Sequence, residues 1–460
     1  MAEHVEFVGG YPTVESAAAS YERSDRHRAV EAYRFFYPTV SLEAILRGTR
    51  AAGGVDNEAA PLVVAGPIRV GYTLNSDTPY LGGGLDLRAG PLVVELPPGP
   101  LVGMLDDHHH RWLVDLGLPG RNGPRGGKVL LLPPGHEGEP DAEGYEVVRS
   151  DTWQVLFALR VLPLGGDLEK ADALIRQVKV YSWERRADPP AFTFLDRDEQ
   201  AMDSTPLAWE DNLEYWRVLH SVVDSEPAVE ELRPMLGLLA ELGIEAGRPF
   251  APDERMARVL TDAARQGRDE LLVSAFASRR EDRIAWPDRR WEWVGLRPEN
   301  GTFERGGSLD VEARDRWFAQ AIVASPAMFR RGAGAGSLYW LGHRDADGAY
   351  LDGGRTYRLR VPLPVPYSLF WSITLYDAQT RSEVVTEQGR AALRSLFEKL
   401  EPEGADHVDL WFGPDEPTGA EGRWIRTAPG RGWFTYFRIY GPEQAAFDGS
   451  WKPGDLERQD

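Results

Sequence analysis

"FWSITLYDAQTRS", residues 370–382, decides how the chain folds. Trp371, Ile373 and Leu375 alternate with Ser372, Thr374 and Tyr376, the period of two that sends successive side chains to opposite faces of a strand. Half-buried antiparallel strands alternate in this way. "YRLRVPLPVP" (357–366) repeats the alternation, and "HVDLWFGP" (407–414) and "GWFTYFRIYGP" (432–442) extend the β texture towards the end.

Upstream, "PLVVAGPIRVGYTLNSDTPYLGGGLDLRAGPLVVELPPG" (61–99) consists of short Val/Leu-rich runs cut by Gly, Pro and Asn-Ser-Asp, which reads as strands joined by tight loops. "GGKVLLLPPG" (126–135) and "YEVVRSDTWQVLFALRVLP" (145–163) continue it. Helical spacing occupies other stretches. Residues 12–48 suit one or two helices, and 166–180 suit a helix with Asp167 near its start. In 205–280, Trp209, Leu213, Trp216 and His220 share one helix face, and Pro252-Asp253 opens a second helix. Strands and helices that do not alternate predict a β-rich α+β fold: two antiparallel β-sandwich or jelly-roll-like domains with a helical middle segment. The expected boundaries are 1–190, 191–330 and 331–460.

Composition narrows the function. The chain has 460 residues, 42% of them hydrophobic, which is enough for more than one core. A net charge of −20 lacks the basic footprint that nucleic acid or anionic membrane requires. With no cysteine, disulfides, thiolate metal sites and a Cys nucleophile are excluded. "MAEHVEFVGGYPTVESAAASYERSD" shows neither a basic n-region nor an apolar h-region, so a cytoplasmic protein is expected. The 15 tryptophans suit β-rich cores or aromatic ligand clefts.

Three polar clusters stand out. In "GMLDDHHHRWLVDLGLPG" (103–120), a strand would put Asp106, His108 and His110 on one face, where they could hold a divalent metal. Structural hydrogen bonding or polar surface is the plainer reading. "NSDTPY" (75–80) has the residues of a turn, or Asp77 acts as a base beside a Tyr80 donor. At the end of the opening stretch, Asp377 and Arg381 stand four apart, as an ion pair closing a turn or as part of a binding site. The chain carries no Gly-x-Ser-x-Gly elbow, and "GAGAGS" (332–337) lacks the P-loop lysine. "DADGAYLDGGRTY" (345–357) begins like a calcium loop but lacks its closing Glu, so a hairpin turn is expected.

Six stretches in order, "NSDTPY", "GMLDD…RW…DLGLPG…GGKVLLLPPG", "DADGAYLDGGRTYRLRVP", "FWSITLYDAQTRS", "VDLWFGP" and "GRGWFTYFRIYGP…FDGSWKPGDLE", resemble the bacterial proteins that pair domain of unknown function 1254 with domain of unknown function 1214. The resemblance spans roughly residues 10–460. It implies β-sandwich or jelly-roll-like domains and no established biochemical role. Asn75, Asp77, Tyr80, Asp106, Asp107, Arg111, Tyr376, Asp377 and Arg381 match the family pattern. The three histidines do not, which weakens a family-wide metal site. Many relatives carry an export signal that is not visible here.

The expectation is a hydrolase or lyase acting on a small or medium-sized organic substrate in a Trp-lined cleft between the two β domains. Asp77 or Asp107 would be the base and Tyr80 or Tyr376 the proton donor, with Asn75, Arg111, Trp371, Asp377 and Arg381 holding substrate. No cofactor is required, though a divalent metal on Asp106, His108 and His110 is a variant. A homo-oligomer is left open. The alternative is a non-catalytic protein that binds carbohydrate or another protein on a Trp-rich sandwich.

Overall fold

The computed structural model describes residues 5–64, 66–138, 140–297, 300–334 and 336–459. The alternation at 371–377 becomes the strand Tyr367–Asp377, the fourth of a five-stranded antiparallel sheet. In spatial order the sheet runs Glu292–Trp293, Ser337–Gly342, Trp433–Pro442, Tyr367–Asp377, Ala392–Arg394. A four-stranded sheet of Trp424–Arg426, His407–Gly413, Tyr357–Pro362 and Leu456–Arg458 lies against it. Trp371, Ile373 and Leu375 fill the space between, with Phe437, Leu410 and Phe412. Trp371 stacks on Phe437 with ring centroids 5.3 Å apart, an arrangement worth ~1 kcal/mol beyond its buried area.

The opposite face of this sheet departs from expectation. Every residue of Phe370–Asp377 and of Trp433–Pro442 is buried, so these strands are covered on both sides. The cover comes from two places. Helices pack on Tyr376, Phe434 and Tyr436, and a loop of the N-terminal sandwich lies over Ser372, Arg438 and Tyr440.

The N-terminal sandwich pairs a six-stranded sheet (Thr193–Asp196, Ala59–Val64, Pro79–Asp86, Gln154–Val161, Leu101–Asp107, Trp112–Gly117) with a four-stranded one (Glu146–Arg149, Gly127–Leu132, Leu92–Leu96, Lys179–Ser182). Leu81, Leu105 and Phe157 meet Val94 and Leu131 between them. Antiparallel pairing dominates both sandwiches. Among the described residues the parallel pairs of the sandwiches lie at edges, Glu146–Arg149 on Gly127–Leu132, Thr193–Asp196 on Ala59–Val64, and His407–Gly413 on Trp424–Arg426. Met202–Asp203 pairs parallel with Arg69–Val70 in a separate two-stranded sheet.

The helices are α1 (Val14–Ala51), α2 (Leu168–Ile175), α3 (Leu213–Ser225), α4 (Arg233–Glu241), α5 (Glu254–Phe276) and α6 (Val311–Phe318). Thr13, Asp167, Asn212, Asp253 and Asp310 cap five of them through side-chain oxygens. One helix, not two, spans 12–48. It runs through Pro38, where packing of Phe36, Tyr37 and Val40 outweighs the missing backbone donor. Although α1 precedes the N-terminal sandwich, it packs with the middle helices, Tyr33 and Phe36 joining Tyr215, Trp216 and Leu260. Among the described residues no helix is long and apolar enough to cross a membrane.

Candidate functional site

The strand Leu101–Asp107 stops before the histidines. The His110 N–H bonds back to the Asp107 carbonyl at 2.9 Å, and His110 sits at φ +59°, so 107–110 is a tight turn. Asp106, His108 and His110 therefore do not share a strand face, as had been expected. The three rings are buried rather than on the surface, and each has its own partner. His108 lies between Glu226 (2.7 Å) and Glu43 (3.2 Å), and His109 meets the Thr39 hydroxyl at 3.0 Å. His110 Nδ1 donates to the Pro38 carbonyl at 2.9 Å while Nε2 accepts the Val323 N–H.

Burial depresses the His110 pKa to about 3, which keeps that ring neutral. Burial also acts against His108, but the hydrogen bonds to Glu226 and Glu43 outweigh it and raise its pKa. Asp107 accepts from the N–H groups of His109 and Arg111 and pairs with Arg111 Nε at 2.7 Å. Arg111 continues to Asp151. Among the described residues no three His, Asp or Glu converge as a metal-holding group. The turn is a clasp that fastens α1 to the N-terminal sandwich.

The NSDTPY loop is a turn and something more. Asn75 Oδ1 accepts the Asp77 N–H at 3.0 Å, a side-chain-closed turn. The turn docks on the outer face of the C-terminal sheet. Asn75 Nδ2 donates to the Tyr440 hydroxyl (3.0 Å), Ser372 donates to Asp77 Oδ2 (2.8 Å), and Ser76 donates to Glu383 (2.5 Å). In return Tyr376 donates to the Leu74 carbonyl at 2.6 Å and Arg438 Nη2 to the Thr73 carbonyl at 2.8 Å. Several buried atoms in this seam have no partner: Asp77 Oδ1, Glu383 Oε2, Thr374 Oγ1, Tyr436 OH and Arg438 Nη1. Burial raises the Asp77 pKa and lifts that of Glu383 to about 7.

Beside the seam is a cavity of about 110 Å³. The N-terminal sandwich contributes Asn75, Tyr80 and Arg160, and the C-terminal sheet contributes Tyr339, Tyr436 and Arg438. Met104, Trp317 and Ile322 supply apolar wall. Arg438 stands in register between Tyr339 and Ser372 on neighbouring strands. Its guanidinium lies 5.0 Å from the Tyr436 ring centroid, and that of Arg160 lies 5.6 Å from Tyr80. Neither arginine forms an ion pair among the described residues, in contrast to Arg381, which meets Glu210 at 2.7 Å. Asp77 is bonded to Ser372 instead and is biased by burial towards its neutral form. A desolvated guanidinium without a carboxylate is costly unless an anion joins it.

Of the predicted site residues, Asn75 and Tyr80 line this cavity, while Asp77 and Tyr376 lie in the seam that holds the loop. Asp106, Asp107, Arg111, His108 and His110 belong to the clasp. Trp371 is inside the C-terminal sandwich, its Nε1 bonded to Glu401 at 2.6 Å, because the inward phase of its strand faces the second sheet. The expected cleft of tryptophans reduces to Trp317; Trp216, Trp291, Trp340 and Trp433 are core.

Asp377 and Arg381 do not pair. Asp377 takes Arg431 Nε at 2.6 Å and the N–H groups of Gln379 and Thr380. Arg381, at φ +56°, turns away to Glu210 and the Tyr72 hydroxyl. Arg160, Tyr339, Tyr436 and Arg438 escaped the sequence analysis. The signal for Tyr436 and Arg438 was present in "WFTYFRIY" (433–440), where Tyr436, Arg438 and Tyr440 recur with period two.

Fold and site thus define a two-sandwich protein with a small pocket, apolar-walled and carrying two arginines, at the seam between its β domains. The family described as protein of unknown function (DUF1254) matches residues 60–182, and protein of unknown function (DUF1214) matches residues 336–444. The chain belongs to the proteins that pair these two domains, as its motifs imply. The crystal structure of the VPA0106 protein from Vibrio parahaemolyticus has a similar fold, with 17% identity over 95% of this chain and 100% of that one and a TM-score of 0.58. An uncharacterized protein from Burkholderia cenocepacia aligns at 13% identity over 97% of this chain and 98% of its own, with a TM-score of 0.41. No curated protein matches the chain.

Proposed function

We propose that the protein is an enzyme acting on a small organic anion, with the interdomain cavity as its active site and a lyase reaction favoured over hydrolysis. The supporting observation is that Arg160 and Arg438, one from each sandwich, line the same cavity and form no ion pair among the described residues, although the Asp77 carboxyl lies within electrostatic reach of Arg438. A carboxylate bound between two guanidiniums has its charge neutralised, which acidifies the adjacent C–H bond. Elimination then needs a proton removed from that carbon and a proton given to the leaving group. Tyr80, Tyr339 and Tyr436 place phenols on the cavity wall. In the proposed elimination one of them, as phenolate, takes the proton from carbon, the C–H electron pair becomes the double bond as the leaving group departs, and another gives its proton to that group. Burial raises the Tyr436 pKa although Arg438 opposes the shift, so this phenol is a proton donor at neutral pH.

Hydrolysis draws less support because the described lining holds no His, Asp, Glu, Lys or Cys to activate water or attack. A divalent cation would be repelled by the same guanidiniums. Asp77 and Tyr376 act through position, holding the loop that carries Asn75 and Tyr80. The alternative of a carbohydrate-binding tryptophan strip gains nothing from tryptophans buried in the cores.

The test is calorimetric titration with butanoate and with its neutral amide, butanamide. Butanoate should bind and butanamide should not. Arg160→Met and Arg438→Met should each weaken butanoate by about tenfold or more. Equal binding of the amide, or unchanged affinity in Arg438→Met, overturns the reading.

A further inference from the structure

The inner cavity, at about 110 Å³, falls short of the ~150 Å³ that admits one benzene. It has room for a charged head group and little else. A second chamber of about 440 Å³ abuts it, a size typical of small-molecule sites. The two share Val102, Gly103, Met104, Arg160 and Met328 as a common wall. At Gly103 no side chain adds to that wall, and a Cβ there would stand 2.4 Å from the Ala158 carbonyl oxygen of the neighbouring strand. At Met104 and Met328 it consists of unbranched thioethers that change rotamer easily. Arg160 borders both chambers, so an anion held there sits at their junction.

The outer chamber has apolar wall from Leu118, Pro119, Leu162, Ala327 and Leu369, where a hydrocarbon chain would lie, with Ser325, Arg330, Ser337, Ser368 and Tyr440 as its polar groups. The glycine stretch at 332–337, which fits no nucleotide motif, borders it through Gly334 and Gly336. Both are at positive φ, and a Cβ on Gly336 would lie 3.1 Å from the Ala327 carbonyl oxygen. Backbone rather than side chains therefore forms that side, which keeps the chamber open.

We propose that the ligand is an amphiphilic carboxylate whose head lies between Arg160 and Arg438 and whose unbranched hydrocarbon tail occupies the outer chamber. The tail assignment rests on the reading of the inner cavity as an anion site. Titrating butanoate, hexanoate, octanoate and decanoate into the full chain tests it. Each buried methylene should tighten binding by about fourfold until the chamber is full. Ala327→Leu, which fills the chamber from one side, should flatten this dependence. Ser368→Trp at the rim should do the same, and serves if Ala327→Leu does not fold.

Affinity independent of length in the wild type, or an undiminished slope in the filled variants, overturns the tail assignment alone when Arg438→Met still weakens butanoate by about tenfold or more. Failure of every carboxylate to bind overturns the anion site and the tail together.

Discussion

The turn at 106–111 and the loop at 73–80 are both rich in polar side chains, both largely buried, and both pressed against another part of the fold. In the turn each imidazole has its own partner and Asp107 accepts from three donors, Asp106 Oδ1 being the one buried side-chain atom of 106–111 left over among the described residues. In the loop the bonds run across to the C-terminal sheet and leave buried atoms over, among them Arg438 Nη1 and Tyr436 OH on the cavity. Closed networks hold a fold together. Open ones next to a cavity mark where a ligand would complete them.

The largest expected effect tests this contrast with two buried arginines. Arg381→Met leaves Glu210 with Arg268 at 2.9 Å as its remaining cation and should cost about 3 kcal/mol in urea unfolding. Arg438→Met removes the 2.8 Å bond to the Thr73 carbonyl together with a costly desolvated guanidinium, and the two should offset to less than about 1 kcal/mol. Equal losses would erase the distinction between the two networks.

Glu383 comes next. Its folded pKa of about 7 lies above the ordinary 4.5, so between those values the folded chain keeps a proton that the unfolded chain has released. Stability therefore falls as pH rises through that window, by up to an order of 3 kcal/mol. Glu383→Gln should remove this loss and overtake the wild type near neutrality. Parallel stability–pH curves for the two proteins would refute it.

A smaller change is expected at the clasp, where His108→Asn should cost about 1–3 kcal/mol. The folded His108 pKa is raised, so its contribution is fully present below about 6.5 and is lost as pH rises through the higher folded value. The gap from wild type, read from melting curves across pH, should narrow on the alkaline side. A gap that widens there would contradict the two-carboxylate bridge. The smallest effect concerns metal: adding a chelator should leave the melting temperature unmoved, because Asp106, His108 and His110 do not converge. A drop on chelation that His108→Asn abolishes would return the turn to the list of metal sites.

Local periodicity carried much of the fold. The phase of 371–377 put Trp371, Ile373 and Leu375 on one face, which is the core face although Trp371 had been expected at substrate, and Asp167 and Asp253 marked helix starts that the structure confirms as caps. Partners of charged groups were not legible, because they are set by which distant segment arrives. Asp377 met Arg431 and Arg381 met Glu210, each far from the four-residue spacing that suggested a mutual pair. The strand at 101–107 was read two or three residues too long because Asp-Asp-His-His-His carries no breaker; the turn is enforced by α1 lying across it. Arg438 was hidden differently: its strand is buried on both faces, and a single arginine in an aromatic run reads as a solvent-facing residue until the opposing loop is in place.

Arg160 belongs to one sandwich and Arg438 to the other, and the cavity exists only where they face each other. Splitting the gene between them would give two products, each with half of the cavity wall, able to restore it only by reassociating. Inheritance as one chain keeps both halves at equal dose and in register, which supplies a physical reason for two domains of this kind to travel together.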